Sequence, residues 1–479
     1  AGLIVVGCTL WLGRKLWSAP VAWIAAAIVM TSYGFVFWSR TADADIENLA
    51  AVMLALCWYM SKRDRAGFGA FLVFYLIIFP GALLKGLPAI ILSVLAVLVD
   101  VVLHQRWRKV LIPSHFAAVF IGLALYLIPF IYASMTAPNT YHENGLGMVF
   151  HENVTRFFKP FDHTGPVYLY LYTLPLYLLP WAPLFLGAIV ALWVCRSSLD
   201  SADRWLGWTA AVFFAFFTAC GSRRSYYILP LVPFSALLIG VFLTKPSRAP
   251  LDTIRRHSRN IQIGFILIGI IAELAGPWIA ARAAMHYGVS ISSSLSRSMI
   301  VLGIIAPLTG IILARFGQRA APAYRGIWGS VAAATILVGG YFCWQQDKLD
   351  SYRSEPAFAR TLKSRIADVS SDDIGLYRCS AANLLFYLDL NRPAADLHSN
   401  RRLESFLEGD GRRVVITQRQ FISEAAKAAP AILGKRSPDL VELPSGSSAA
   451  PADEDWVAWI IEPSRIQSAA ASNMPDSSR

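Results

Sequence analysis

Twelve apolar runs take up most of the first 343 residues of this chain: 1–12, 20–39, 47–60, 67–80, 87–103, 114–132, 166–194, 205–220, 226–243, 261–281, 298–314 and 326–343. A helix needs about 20 apolar residues to cross the hydrocarbon core of a bilayer, and several runs reach or approach that length. The others are short or hold a proline, which is tolerated where neighbouring helices satisfy the freed backbone groups. The run 166–194 is too long for one straight span; Pro175, Pro180 and Pro183 are expected to kink or split it. Composition agrees: 56% of the 479 residues are hydrophobic and 15% charged, against about 25% charged in a soluble domain. The chain reads as a polytopic α-helical membrane protein.

The loops between the runs alternate in charge. Arg14, Lys15, Lys62, Arg63, Arg65, Arg106, Arg108, Lys109, Arg196, Arg204, Lys245, Arg248, Arg255, Arg256, Arg259, Arg315, Arg319 and Arg325 fall on one side. The other side holds Arg40, Lys85, Arg156, Lys159, Arg223, Arg224, Arg282 and Arg297. Basic loops stay in the cytoplasm, so the second set faces outward. For a bacterial inner membrane that means the periplasm, where residues after 344 would also lie. The excess of loop cations accounts for most of the net charge of +12. No basic patch with interleaved aromatics accompanies it, which argues against a nucleic-acid partner. Residue 1 lies inside an apolar run and is not Met, so the chain reads as N-terminally truncated. The six cysteines show no metal spacing and read as small buried hydrophobes.

From about 345 the composition changes. IGLYRC, RRVVITQ and DWVAWIIEP read as strands, and AANLLFYLDL and RRLESFLEG as helices, which together suggest a small α/β domain. The expected organisation is a membrane domain over 1–344, an α/β domain over 345–464 and a disordered tail over 465–479.

Where topology does not ask for cations, ionised residues point to function. "SRTADADIENLA" places Arg40, Asp43, Asp45 and Glu47 between two apolar runs. Ionisable groups at a span end are costly and mark a site by default; the competing reading is an exposed helix N-terminus, where acids favour the dipole. If the segment is extended, Asp43, Asp45 and Glu47 lie along one edge; if it is helical, Asp43 and Glu47 share a face and Asp45 points elsewhere. In "FPGALLKGLPAI", Lys85 stands alone, suited to a phosphate or to snorkelling at the interface. "GSRRSYYILPLVPF" sets Arg223 and Arg224 before Tyr226, as lipid-phosphate ligands or as headgroup anchors. The outward loop 133–165 carries His142, His151, His163, Glu143 and Glu152, and Arg156 and Lys159 at helical spacing suit an anion. His151, Glu152 and His163 are candidate ligands for a divalent metal, the one cofactor the sequence suggests, but their spacing is not that of a zincin. No P-loop, GxSxG, HExxH or dinucleotide-binding glycine pattern is present.

The stretches "SRTADAD", "LLKGLP", "HENVTRFF…HTGPVYLYL…LPW" and "RRSYYILPLVP", in that order, resemble the polyprenyl-phosphate-dependent glycosyltransferases with the C-type membrane fold. That group includes the aminoarabinose lipid A transferases and the protein O-mannosyltransferases. The resemblance covers roughly residues 1–345, and the C-terminal position of the soluble domain fits the lipid A branch better. It implies one more span than the twelve runs. It also implies a first outward loop, absent here, that carries the family's principal catalytic Asp. Asp45 then matches a second acidic position, with Asp43 beside it as a further catalytic candidate. Lys85 matches the phosphate-side KG-P motif, and Arg223 or Arg224 the cation before a Tyr-rich helix, with Arg156 and Tyr226 as further donor-side residues. The implied reaction moves a sugar from undecaprenyl phosphate to a periplasmic glycolipid, glycan or protein, inverting the anomeric centre. Two rivals stand: a transporter or flippase, against which no inverted repeat is visible, and a non-catalytic binder of the lipid-linked sugar.

Overall fold

The computed structural model describes residues 1–41, 43–65, 67–136, 147, 165–246, 249–287, 292–316, 326–349, 354–379, 382–409, 411–428, 439–442 and 456–462. Two compact units emerge: residues 1–274 with 301–342, and residues 275–300 with 343–479.

Each apolar run becomes helical, but two of them become two helices. The run 20–39 is α2 (Ala19–Thr31) and α3 (Tyr33–Arg40), bent by 61° after α1 (Gly2–Leu16). The helices α4 (Asp45–Lys62), α5 (Phe68–Lys85), α6 (Pro88–Leu103), the short α7 (Trp107–Val110) and α8 (Pro113–Thr136) follow. The run 166–194 splits into α9 (Leu169–Tyr177) and α10 (Ala182–Val194), bent by 118°. Of its prolines, Pro175 sits inside α9, Pro180 lies at the break, and Pro183 falls in the first turn of α10, where a missing N–H costs nothing. Then come α11 (Ser201–Ala219), α12 (Leu231–Thr244), α13 (Ala249–Tyr287), α14 (Ser293–Phe316) and α15 (Ile327–Gly340), which continues through a π turn at Tyr341–Gln345. Among the described residues, five helices are long and apolar enough to cross a membrane, or seven if each bent pair counts as one. The fold is that of a multi-pass helical membrane protein with a C-terminal α/β domain.

The two breaks answer each other. Interrupting a helix frees backbone groups that lipid cannot satisfy. Ser32 Oγ donates to Ile28 O at 2.6 Å, closing α2. The Tyr33 N–H donates to Leu179 O at 3.0 Å, across to the other break. Trp181, fully buried, donates Nε1–H to Thr31 Oγ1 at 2.9 Å. This joint fixes where α3 leaves the bundle and so where the acidic stretch after it begins. Around it lies the main core, built from Val5, Leu12, Ile24, Ile28, Leu49, Met53, Leu56, Phe234 and Leu237 among others.

In the second unit a five-stranded sheet runs in the order β2-β1-β3-β5-β4. The strands are β1 (Ile374–Tyr377), β2 (Ala395–Leu397), β3 (Arg413–Gln418), β4 (Asp439–Glu442) and β5 (Trp456–Ile461). β1 is parallel to β2 and β3; β5 is antiparallel to β3 and β4. The period of two along a strand sends Val414 and Ile416 of β3, with Ala458 and Ile460 of β5, to one face. There they meet Phe358 and Leu362 of α16 (Ser354–Arg365) and Leu384 and Leu388 of α17 (Ala382–Leu388). Val415, Trp459 and Ile461 face the other way, onto Leu403 and Leu407 of α18 (Asn400–Glu408) and Ala425 of α19 (Arg419–Ala428). Because both faces are covered, β5 is buried at every position. The strands expected at IGLY, RVVITQ and WVAWII are present, as are both expected helices; β2, β4, α16 and α19 are additions. None of the six cysteines forms a disulfide, and of them Cys8 is buried while Cys343 is exposed, against the expectation of small buried hydrophobes.

Candidate active site

α4 and α5 form an antiparallel hairpin, and its chemistry follows from that. The N-terminus of one helix lies beside the C-terminus of the other, so one end of the pair offers a positive and a negative dipole pole side by side. Acids suit the first pole and cations the second. Asp45 and Glu47 occupy the first turn of α4, and Lys85 is the last residue of α5. The "KGLP" stretch sets that end. Gly86 adopts φ +96°, which L-residues avoid, and its N–H donates to Ala82 O at 2.7 Å. Pro88 then opens α6 at its first position.

The helix begins at Asp45, so Asp43 lies outside it, in a tight turn where its N–H donates to Thr41 O at 2.8 Å. Of the two arrangements open to the sequence, a helix through Asp43 and Glu47 is therefore not the one adopted. Asp43 and Asp45 converge instead, and Lys85 bridges them. Its Nζ donates to Asp43 Oδ1 at 2.7 Å and lies 2.7 Å from Asp45 Oδ2, at an angle that makes the second contact an ion pair without a well-aligned hydrogen bond. About a quarter of the Lys85 and Asp43 side chains stays exposed, against 13% for Asp45. Burial opposes ionisation of Asp43, but hydrogen bonds from Asp45 and Lys85 outweigh it and hold the carboxyl below its ordinary value. Glu47 is exposed and stands outside this cluster.

Close approach of the two helices makes the bridge possible. A Cβ placed on Gly81 would come 2.5 Å from Ala51 Cβ, and the buried Asn48 reaches Gly81 O with Nδ2 at 3.4 Å. Gly81→Ala should push α5 from α4 and separate Lys85 from Asp45, costing about 1–3 kcal/mol as overpacking does. Thermal unfolding of the purified variant checks this; a Tm equal to wild type would mean the hairpin relaxes freely.

Tyr226 joins the bridge to the arginine pair. Lys85 Nζ lies 5.1 Å from the centre of its ring and Arg224 Cζ 5.7 Å, both within cation–π range. Trp38 packs on the same ring with centroids 4.6 Å apart. Arg223 is differently employed. Its Nε and Nη2 donate to Thr218 O, at 3.2 and 3.1 Å, and its Nη1 to Gly165 O at 3.0 Å. It ties the end of α11 to the segment entering α9 and is committed to backbone. Lys85 thus belongs both to the acidic cluster and to the cations around Tyr226.

Arg156, Lys159, His151, Glu152 and His163 lie outside the described residues. Among the described residues no group of three or more His, Cys, Asp or Glu is arranged to hold a metal ion.

Sequence reading also missed a second charged cluster, at the other end of α4. Asp100 of α6, its side chain wholly buried, accepts from Arg63 Nη1 at 3.0 Å and Tyr59 Oη at 2.7 Å. His104 Nδ1 lies 3.0 Å and Arg106 Nε 3.7 Å from the same carboxylate. One acid inside an otherwise apolar run was the signal available.

No family model matches the chain. Among curated proteins it is similar to the undecaprenyl phosphate-alpha-4-amino-4-deoxy-L-arabinose arabinosyl transferases. With that of Enterobacter sp. (strain 638) it shares 25% identity over 377 residues, 76% of this chain and 65% of the relative. With that of Pseudomonas aeruginosa (strain UCBPP-PA14) it shares 27% over 267 residues, 54% and 47% of the two chains. The chain thus spans about two thirds of the relative's length in the first case and about half in the second. In fold it is similar to ArnT from Cupriavidus metallidurans, crystallised with undecaprenyl phosphate: TM-score 0.66 and 18% identity, covering 96% of this chain and 82% of that one. The apo form of the same protein gives a TM-score of 0.62. The polyprenyl-phosphate-dependent C-type glycosyltransferases are thus the proteins this chain resembles, in sequence and in fold.

Proposed function

We propose that this chain transfers a sugar from a polyprenyl-phosphate carrier to an acceptor on the outer side of a bacterial inner membrane. The single observation that carries the reading is the Asp43–Lys85–Asp45 bridge, stacked through Tyr226 against Arg224. An acceptor hydroxyl oxygen attacks the anomeric carbon from the face opposite the leaving group and inverts it. The bond from that carbon to the phosphate oxygen breaks, the carrier leaves as a phosphate monoester with the electron pair, and the hydroxyl proton passes to a base. Charge develops on the leaving phosphate, and preorganised cations answer it at no reorganisation cost.

Lys85 and Arg224 are those cations in this reading, and Arg223 holds the loop that presents Arg224. Asp43 and Asp45 are positioning residues. Asp43, whose proton affinity is held low, makes a poor base, and the two acids flanking one ammonium fix where it points. The relatives named for aminoarabinose transfer make a glycolipid such as lipid A the first acceptor to test, with cell-envelope glycan and protein next.

The test supplies the full chain, reconstituted in vesicles, with a radiolabelled polyprenyl-phosphate sugar and bacterial membrane extract. Label should move to one acceptor fraction, glycolipid, glycan or protein. If label crosses the bilayer unchanged on its carrier, the chain is a transporter; if the carrier binds and no product gains label, it is a binder only.

A further inference from the structure

Between the ends of α4, α5 and α6, beneath α7 and the start of α8, lies a cavity of about 160 Å³. It is remote from Lys85, at the opposite end of α5. Its walls are apolar and aromatic: Phe71, Phe74, Val94, Val97, Leu98 and Trp107. Val94, Leu98 and Trp107 are each about 40% exposed on the outside of the bundle, so the cavity meets the surface that faces lipid.

The rim is cationic. Lys62, Arg63, Arg106 and Lys109 line it. Two carboxylates pair with them: Asp100 with Arg63 at 3.0 Å and with the Arg106 Nε at 3.7 Å, and Asp64 with Arg106 at 2.6 Å and Lys109 at 3.8 Å. Two positive charges remain in excess. His115 closes the floor and adds no charge in its neutral form: Nδ1 faces Val110 O and Nε2 meets Tyr75 Oη at 2.6 Å. A greasy slot with a surplus of cations at its mouth suits an amphiphile with an anionic head. The end of the bundle in question carries the basic loops, which belong at the negatively charged leaflet.

We propose that this cavity seats one anionic glycerophospholipid at the bundle surface, its phosphodiester against Lys62 and Lys109 and part of one acyl chain in the slot between Val97 and Phe74. The site is separate from the transferase reading and does not depend on it. Basic pockets between spanning helices on the cytoplasmic side commonly take such headgroups.

The test reconstitutes the full chain in nanodiscs of equimolar phosphatidylglycerol and phosphatidylcholine, then counts retained lipids by native mass spectrometry. The wild type should keep one phosphatidylglycerol in clear preference to phosphatidylcholine. Replacing Lys62→Gln and Lys109→Gln together should lower that retention roughly 25-fold, at about fivefold per lysine. Val97→Phe, which fills the slot and leaves every charge, should abolish it. Circular dichroism and a monodisperse elution profile verify folding, and either variant suffices if the other fails. Equal retention of the two lipids overturns the proposal, as does unchanged retention in a folded variant. Displacement by soluble glycerol 3-phosphate alone would make it a simple anion site, and preferential retention of polyprenyl phosphate would make it a carrier site; both also overturn it.

Discussion

Replacing Lys85→Ala should lower sugar transfer by about 10²–10³-fold in kcat, the cost of deleting one preorganised donor to a developing oxyanion. The loss comes from two directions. The leaving phosphate loses a cation, and Asp43 and Asp45 lose the charge that holds them together. Two carboxylates left side by side repel, and a negative site then faces a negative donor. Lys85→Arg should restore part of the rate, since the charge returns on a bulkier and differently shaped head. Asp45→Asn separates the roles: it leaves the cation but loosens its aim, so kcat should fall while carrier binding holds. Steady-state transfer with reconstituted protein measures all three. A Lys85→Ala enzyme with wild-type kcat would remove Lys85 from the reaction.

The largest stability effect should come from the opposite end. Asp100→Ala removes the acceptor for Arg63 and Tyr59 and the counter-charge for Arg106, in a place where its own side chain meets no solvent. Breaking a buried pair by deleting one partner costs about 3–5 kcal/mol, and the Arg63 guanidinium and Tyr59 hydroxyl are left without their acceptor while Arg106 keeps Asp64. Adding Arg63→Met should recover part of the loss, the signature of coupled residues. Thermal unfolding in detergent reads both variants. A fall worth less than about 1 kcal/mol for Asp100→Ala would mean that water already reaches the cluster.

The helical architecture was legible because bilayer length and hydrophobicity dominate it; all twelve runs are helices. Where helices bend was only half legible. Pro175, Pro180 and Pro183 announce the 118° break. Nothing comparable announces the 61° break at Ser32, which persists because Tyr33 and Thr31 find partners about 150 residues away. In the α/β domain β3 and β5 were readable from β-branched runs. The three-residue β2 and the acidic-ended β4 (DLVE) lack such a run and form because neighbours pair with them.

The site divides the same way. Asp43, Asp45, Lys85 and Tyr226 stood out one by one as ionised or aromatic groups at span ends. That Lys85 joins the two acids was hidden, since the contact spans 42 residues and depends on Gly81 letting two helices touch. Arg223 looked equivalent to Arg224 in sequence; only the carbonyls of Gly165 and Thr218 tell them apart.

The charges on α4 bear on motion. At one tip it is buttoned to α5 by Lys85, and at the other to α6 by Asp100. Parting α4 from α5 would separate a part-exposed ion pair, and parting it from α6 would leave the wholly buried Asp100 without Arg63. Three helices pinned at alternate tips make a stiff frame, better suited to standing still around a reaction than to swinging.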